Sequence, residues 1–216
     1  RANLSQTNLI FASLLWTDLT QVNLNQADLS CAKLNQAKLT GVSCQKAKLQ
    51  GVDLDGANLT GANFSQSDFF NANLAKTDCR EARFNDANLQ KVNFEQAILR
   101  NTELVTADLV GANLTNADLT GAIISRSELE LANFTQANLS NVDFSQSSLF
   151  GANLEGTILQ SAKLLNTDLR QANLEHSQLK GVDLSQCRVE GAIFTDAIGL
   201  TEDQKLWLKE NGALNV

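Results

Sequence analysis

Ala112-Asn113-Leu114-Thr115-Asn116-Ala117-Asp118-Leu119-Thr120-Gly121 contains the deciding pattern: a small residue, a polar one, an apolar one, two more polar or turn-forming ones, and then the same again. A period of five matches neither the roughly 3.6-residue repeat of an amphipathic helix nor the alternation of a simple strand. Side chains two apart in extended chain share a face, so Ala112 and Leu114 point the same way. Thr115 and Asn116 both point outward, which requires the chain to turn a corner before Ala117 faces inward again. Each pentapeptide is therefore a short side followed by a bend.

Working outward, the register runs without insertion from Leu4 to Phe194. Its 39 central positions are Leu apart from seven Phe, Cys44, Cys79, Ile124 and Val189, and the residue two places earlier is always small, as at Ala57, Thr77, Ser127, Val142 and Cys187. Ten of the twelve Gly lie two residues after a centre, the third place of a four-residue turn, where type II geometry needs a positive φ. Gln, Asn and Lys often fill that place, so not every corner need be type II. Bends in one sense build a solenoid in which each side pairs its backbone with the coil above or below. The absence of Pro agrees, since an internal Pro would remove a ladder bond. Asn recurs at 73, 93, 113, 133, 153 and 173; this echo favours four sides per coil and predicts a stacked Asn ladder.

Runs such as Ala57-Asn58-Leu59-Thr60-Gly61 and Ala117-Asp118-Leu119-Thr120-Gly121 resemble the A(D/N)LXX signature of the pentapeptide repeat family, a likeness that covers about nine tenths of the chain. The resemblance implies an all-β fold, a right-handed quadrilateral parallel β-helix. Nearly ten coils at roughly 4.8 Å each would make a rod about 45 Å long. The expected organisation is a repeat β-helix over residues 1–198 and a C-terminal helical cap over residues 199–216. Departures from the signature are mild: Ile before the centre at 98, 123, 158 and 193, and Lys or Arg there at 33, 38, 48, 83, 163 and 188. Similar proteins are abundant in cyanobacteria, in cytoplasmic and exported forms. The sequence does not distinguish cytoplasm from periplasm or thylakoid lumen.

Composition narrows the function classes. No stretch of this 216-residue chain approaches the apolar length of a membrane span, so a soluble protein without membrane insertion is expected. A net charge of −7 and a pI near 4.7 argue against direct nucleic-acid binding, which needs a basic stripe. The Cys at 31, 44, 79 and 187 have neither CxxC spacing nor a recurring His, so no metal or cofactor is expected. Cys44, Cys79 and Cys187 should point inward and Cys31 outward. Asp53 with Asp55, and Glu128 with Glu130, straddle inward Leu residues at a Cβ spacing of about 7 Å. That could suit an acid–base pair, but a convex rod offers no cleft to desolvate one. His176 falls at a corner with no nucleophile placed beside it. No catalytic residue is expected.

Stacked coils leave exposed ends that need covering. At the C-terminus Thr201-Glu202-Asp203-Gln204 reads as an N-cap with a capping box, and Gly212 follows the stop. Leu200, Leu206, Trp207, Leu214 and Val216 are expected to pack this short helix over the last coil; a dimer interface is the rival reading. At the other end Ile10, Phe11, Leu15 and Trp16 occupy outward positions on the first coil, which an upstream segment or a partner would cover. A monomer or an end-to-end dimer follows.

Naming each face by its first inward residue, the Leu9 face carries a net −3 and the Leu14 face a net −4, while the Leu4 and Leu19 faces balance. The Leu9 face also shows outward apolar residues two coils apart, Phe70, Val110 and Phe150, with Leu131 at a corner and Asp68, Asp108 and Glu128 alongside. The expected function is thus a non-enzymatic structural or protein-interaction module: a rigid rod that presents these side chains to a macromolecular partner. The alternative comes from the resemblance, since some family members mimic B-DNA and regulate type II topoisomerases, protecting them from quinolones. Duplex DNA carries a charge every ~1.7 Å, so a rod of this length would need roughly 25 net negative charges.

Overall fold

The computed structural model describes residues 2–216. Parallel bridges join each residue before a centre to its counterpart twenty places on, as in Asn3↔Asn23, Asn8↔Asp28, Ser13↔Lys33 and Asp18↔Lys38. Four such columns close one coil, so the chain forms the expected right-handed quadrilateral β-helix. Central residues from Leu24 onward are almost completely buried, along with the small residue two places earlier. Each buried Leu contributes about 1.5–3 kcal/mol by leaving water. Aromatic centres pack on one another: Phe64 stacks on Phe84 at 5.3 Å, while Phe69 and Phe94 meet this pair edge-on at 5.1–5.9 Å.

The backbone accounting explains the signature. In the repeat centred on Leu29, Leu29 N–H donates to Lys48 C=O (2.8 Å), Cys31 N–H to Gln50 C=O (2.9 Å), Asp28 N–H to Thr7 C=O (2.9 Å), and Ala32 N–H closes the turn onto Leu29 C=O (3.0 Å). The N–H after the centre is left over, and Asp28 Oδ1 accepts it from Ser30 (3.1 Å). An Asn or Asp before the centre thus satisfies the one donor that the ladder cannot reach. Where Ser43 and Glu103 stand in that place, Asn25 and Asn85, one coil back, accept from Gln45 and Val105 instead. The predicted Asn ladder forms in part: Asn93 Nδ2 donates to Asn73 Oδ1 (3.2 Å), Asn113 Nδ2 to Asn93 Oδ1 (2.9 Å) and Asn173 Nδ2 to Asn153 Oδ1 (3.3 Å), while Asn153 Nδ2 turns to Thr135 Oγ1 (2.9 Å).

The corners are more uniform than their residue types require. All the corners from Gln6 to Asp196 except Gln186 have a positive φ at the turn's third residue, whether Gly or not. The stacked ladder holds Gln, Asn and Lys in the left-handed region at a cost of about 1–2 kcal/mol each, so Gly relieves strain there without being required.

Helix α1 spans Glu202–Glu210, with Thr201 as N-cap and the reciprocal Thr201–Gln204 capping box present. Gly199, at φ +90, leads into it; a Cβ there would lie 2.7 Å from Lys180 N, so the tight approach to the coil beneath demands glycine. The helix buries Leu208 completely, with Leu200, Trp207, Ala213 and Val216 partly buried against the core. Two predicted packing residues do not pack: Leu206 is 59% exposed and Leu214 50% exposed. Leu206 lies on the helix face opposite Gln204 and Leu208. Leu214 instead extends the ladder, donating to Ala192 C=O (2.8 Å) and accepting from Phe194 N–H (3.0 Å).

Candidate partner-binding surface

On the Leu9 face the position before each centre and the position after it form two parallel columns. The acids Asp68 and Asp108 stand in the first, and Phe70 and Val110 in the second. Phe70 N–H donates to Asp68 Oδ1 (3.0 Å) and Val110 N–H to Asp108 Oδ1 (3.2 Å). The same turn chemistry that holds the corner therefore sets each acid beside its apolar neighbour. Asp68 also accepts from Asn88 Nδ2 (2.9 Å) and Gln50 Nε2, and Asp108 from Gln90 Nε2. These carboxylates are braced in place. Glu128 is exposed.

The rings are less bare than the sequence suggests. Lys91 Nζ lies over Phe70 at 5.6 Å and the Arg170 guanidinium over Phe150 at 5.5 Å, each a cation–π contact. Phe70 remains 38% exposed and Leu131 66% exposed, while Val110 and Phe150 are half-buried. Each cation follows its ring by about one coil in sequence, so it meets the ring only through the stacking of coils. Glu130, read from the sequence as half of a carboxylate pair with Glu128 and not as part of the strip, sits between Val110 and Phe150 in the column, and its Oε2 is buried without a hydrogen-bond partner.

Charge pairing runs along the rod. Asp168 receives Arg170 (2.6 Å) and Arg188 (3.2 Å); burial pushes its carboxyl up, but these guanidinium contacts outweigh it and hold the pKa below the ordinary value. Arg80 on Asp78, Arg100 on Asp118 and Lys48 on Asp28 repeat the arrangement. Asp53 and Asp55, the sequence's candidate carboxylate pair, are bound into the turn, with Asp55 N–H and Asn73 Nδ2 both donating to Asp53 Oδ1. His176 faces Asp196 at 3.8 Å, both exposed. Among the described residues no three His, Cys, Asp or Glu side chains gather as metal ligands. Cys44, Cys79 and Cys187 are buried and Cys31 is exposed, all as free thiols.

The two ends differ. On the first coil Phe11 and Trp16 are 75% and 74% exposed, Ile10 and Leu15 are also exposed, and the inward Leu4, Leu9 and Leu14 are only partly buried. At the other end α1 and residues 213–216 lie against the last coil.

A four-sided solenoid with a five-residue inward period defines the class of protein. The profile of pentapeptide repeats matches in eight copies, over residues 1–26, 27–66, 62–101, 87–126, 104–136, 127–164 and 158–196. The chain belongs to the pentapeptide repeat family. No curated protein sequence matches it. Among solved structures it is similar to HetL, a pentapeptide repeat protein involved in heterocyst differentiation regulation from the cyanobacterium Nostoc sp. strain PCC 7120, with 31% identity over 88% of this chain and 90% of that one and a TM-score of 0.31. A second pentapeptide repeat protein from Nostoc PCC 7120 shares 28% identity over 51% of this chain and 83% of that one, with a TM-score of 0.33. A trypsin-treated variant of QnrB1, a plasmid-mediated fluoroquinolone resistance protein, shares 18% identity over 85% of this chain and 95% of that one, with a TM-score of 0.46. No helix of the described chain is long and apolar enough to cross a membrane.

Proposed function

We propose that this protein is a non-enzymatic interaction module whose Leu9 face docks a protein partner. The observation that carries this reading is the pair of parallel columns in which Phe70 and Val110 stand beside the braced carboxylates of Asp68 and Asp108, continued by Phe150 and by Leu131 at the corner. Braced acids and half-packed rings lose little side-chain entropy on binding, and aromatic anchors flanked by polar groups are the usual composition of an interface core. The Lys91 and Arg170 contacts supply a polar rim that holds the rings in place. Residues 199–216 close the C-terminal end in this reading, with Leu208, Trp207 and Val216 as the covering side chains. On this reading the carboxylates of the convex faces, solvated and gathered in no cleft, do no general acid–base chemistry.

The test is affinity capture from the native organism with the full chain as bait, beside the double variant Phe70→Ser/Phe150→Ser. The variant should lose the captured partner and keep its melting temperature within a few degrees, since both rings lie outside the core. Equal capture by both baits overturns the assignment of this face.

A further inference from the structure

The ladder of this rod fails in one place, between the last two repeats of the Leu4 face, where α1 follows. Each side carries three coil-to-coil bonds: from the centre, from the corner residue two places on, and from the residue before the next coil's centre. On the side centred on Phe144 they run from Phe144 to Lys163 C=O (2.9 Å), from Gln146 to Leu165 C=O (2.8 Å), and from Lys163 to Val142 C=O (2.8 Å). One coil further on all three are absent among the described residues: Leu164 N–H does not reach Asp183 C=O, nor Asn166 N–H Ser185 C=O, nor Asp183 N–H Ala162 C=O. The Lys163↔Asp183 bridge is missing with them. The flanks are intact, with Ser161 N–H on Lys180 C=O and Arg188 N–H on Thr167 C=O, both at 3.1 Å.

Two features accompany the gap. Gln186 is the corner that does not enter the left-handed region, so residues 182–186 follow a different path from every other side. From the cap, Gln204 Nε2 donates to Val182 C=O (2.7 Å), holding the segment toward α1. A cavity of about 310 Å³ opens between the two coils, lined by Ser145, Ser161, Lys163, Leu164, Leu165 and Asp183 among others.

We propose that this gap binds an extended peptide segment of another protein, inserted parallel to the chain as an added strand. One rim offers two donors and an acceptor, Leu164 N–H, Asn166 N–H and Ala162 C=O. The facing rim offers one donor and two acceptors, Asp183 N–H, Asp183 C=O and Ser185 C=O. Their counterparts one coil earlier, on Phe144, Gln146 and Lys163, all pair with backbone. A peptide strand has donors and acceptors on both edges at that spacing and satisfies both rims. An anion would meet only the donors and a cation only the carbonyls. Lys163 and Asp183 on the rims balance in charge, so the recognised segment needs no net charge. Its central side chain would enter the space beside Ala162 and Leu164, which selects an apolar residue flanked by small or polar ones. The site lies on the Leu4 face and stands independently of the Leu9 surface.

The test is amide hydrogen exchange by NMR on the full chain, with the blocked peptide acetyl-Ala-Asn-Leu-Thr-Gly-amide as probe. Without peptide, Leu164, Asn166 and Asp183 should exchange at least about a hundredfold faster than Phe144, Gln146 and Lys163, because unpaired amides are open to solvent. Millimolar peptide should slow the three amides saturably, by about tenfold or more. The same peptide with N-methyl-leucine, which lacks the central donor, should not. Protection of the three amides without peptide, no slowing with it, or equal slowing by the N-methylated form would each overturn the proposal.

Discussion

At the residue scale, the aspartates before the centres carry a pH dependence whose sign follows from their bonds. Asp78 is held below the ordinary carboxylate value chiefly by the Arg80 side-chain hydrogen bond, which outweighs partial burial. The Ser30 hydroxyl does the same for Asp28, and the hydroxyl and N–H of Thr20 for Asp18. A folded pKa below the unfolded value means stability that is fully present above about pH 4 and lost as pH falls through the folded value. The urea midpoint should therefore stay flat from about pH 7 to pH 5 and fall steadily between about pH 4 and pH 2. Asp78→Asn keeps an acceptor for Arg80 N–H but loses the charge, so its midpoint should be slightly lower at neutral pH and less sensitive to acid. A wild-type midpoint unchanged down to about pH 2.5 would refute the account.

At the element scale, the corner between the Leu4 and Leu9 faces has a device of its own. Ser147 Oγ donates to Ile124 C=O (2.6 Å) and accepts Ser127 N–H (3.1 Å); Ser127 and Thr167 donate to Leu104 and Phe144 carbonyls in the same manner. A buried hydroxyl is thus inserted into the turn bond that an Ala corner makes directly. Ser147→Ala should cost only about 1 kcal/mol, because Ser127 N–H can fall back on Ile124 C=O as Ala152 N–H does on Leu149 C=O. Leu149→Ala, which empties a fully buried site, should cost about 2–5 kcal/mol. Equal losses in chemical denaturation would contradict this ranking. The contrast also shows what is legible in sequence. The inward column, the five-residue sides and the capping box at Thr201 could be read because each depends on neighbours in the chain. The all-left-handed corners, the exposure of Leu206 and Leu214, the cations over Phe70 and Phe150, and the ladder gap at Lys163 and Asp183 depend on which coil lies above or below. The five-residue signature carries only part of that information.

At the scale of the whole molecule, shape and charge decide between a protein-docking rod and a DNA-like one. A duplex-sized rod of about 45 Å would carry roughly 25 unpaired negative charges, against a net −7 here. Pairing reduces the field further: Asp28, Asp78, Asp118, Asp143 and Asp168 each face a Lys or Arg within 4 Å. A column in which Asp28, Lys48 and Asp68 succeed one another repeats no phosphate spacing. Exposed pairs of this kind add little stability, of order 0–1 kcal/mol each, but they cancel the long-range attraction that would steer the rod into a cationic channel. The purified chain should therefore leave DNA gyrase supercoiling unchanged at micromolar concentration, at low salt as well as at physiological salt, where screening differs most. Inhibition that strengthens as salt is lowered would show that the residual acidity of the Leu9 and Leu14 faces suffices for mimicry. It would also replace the role proposed for Asp68, Asp108 and Glu128, anchoring a protein partner, with imitation of a phosphate row.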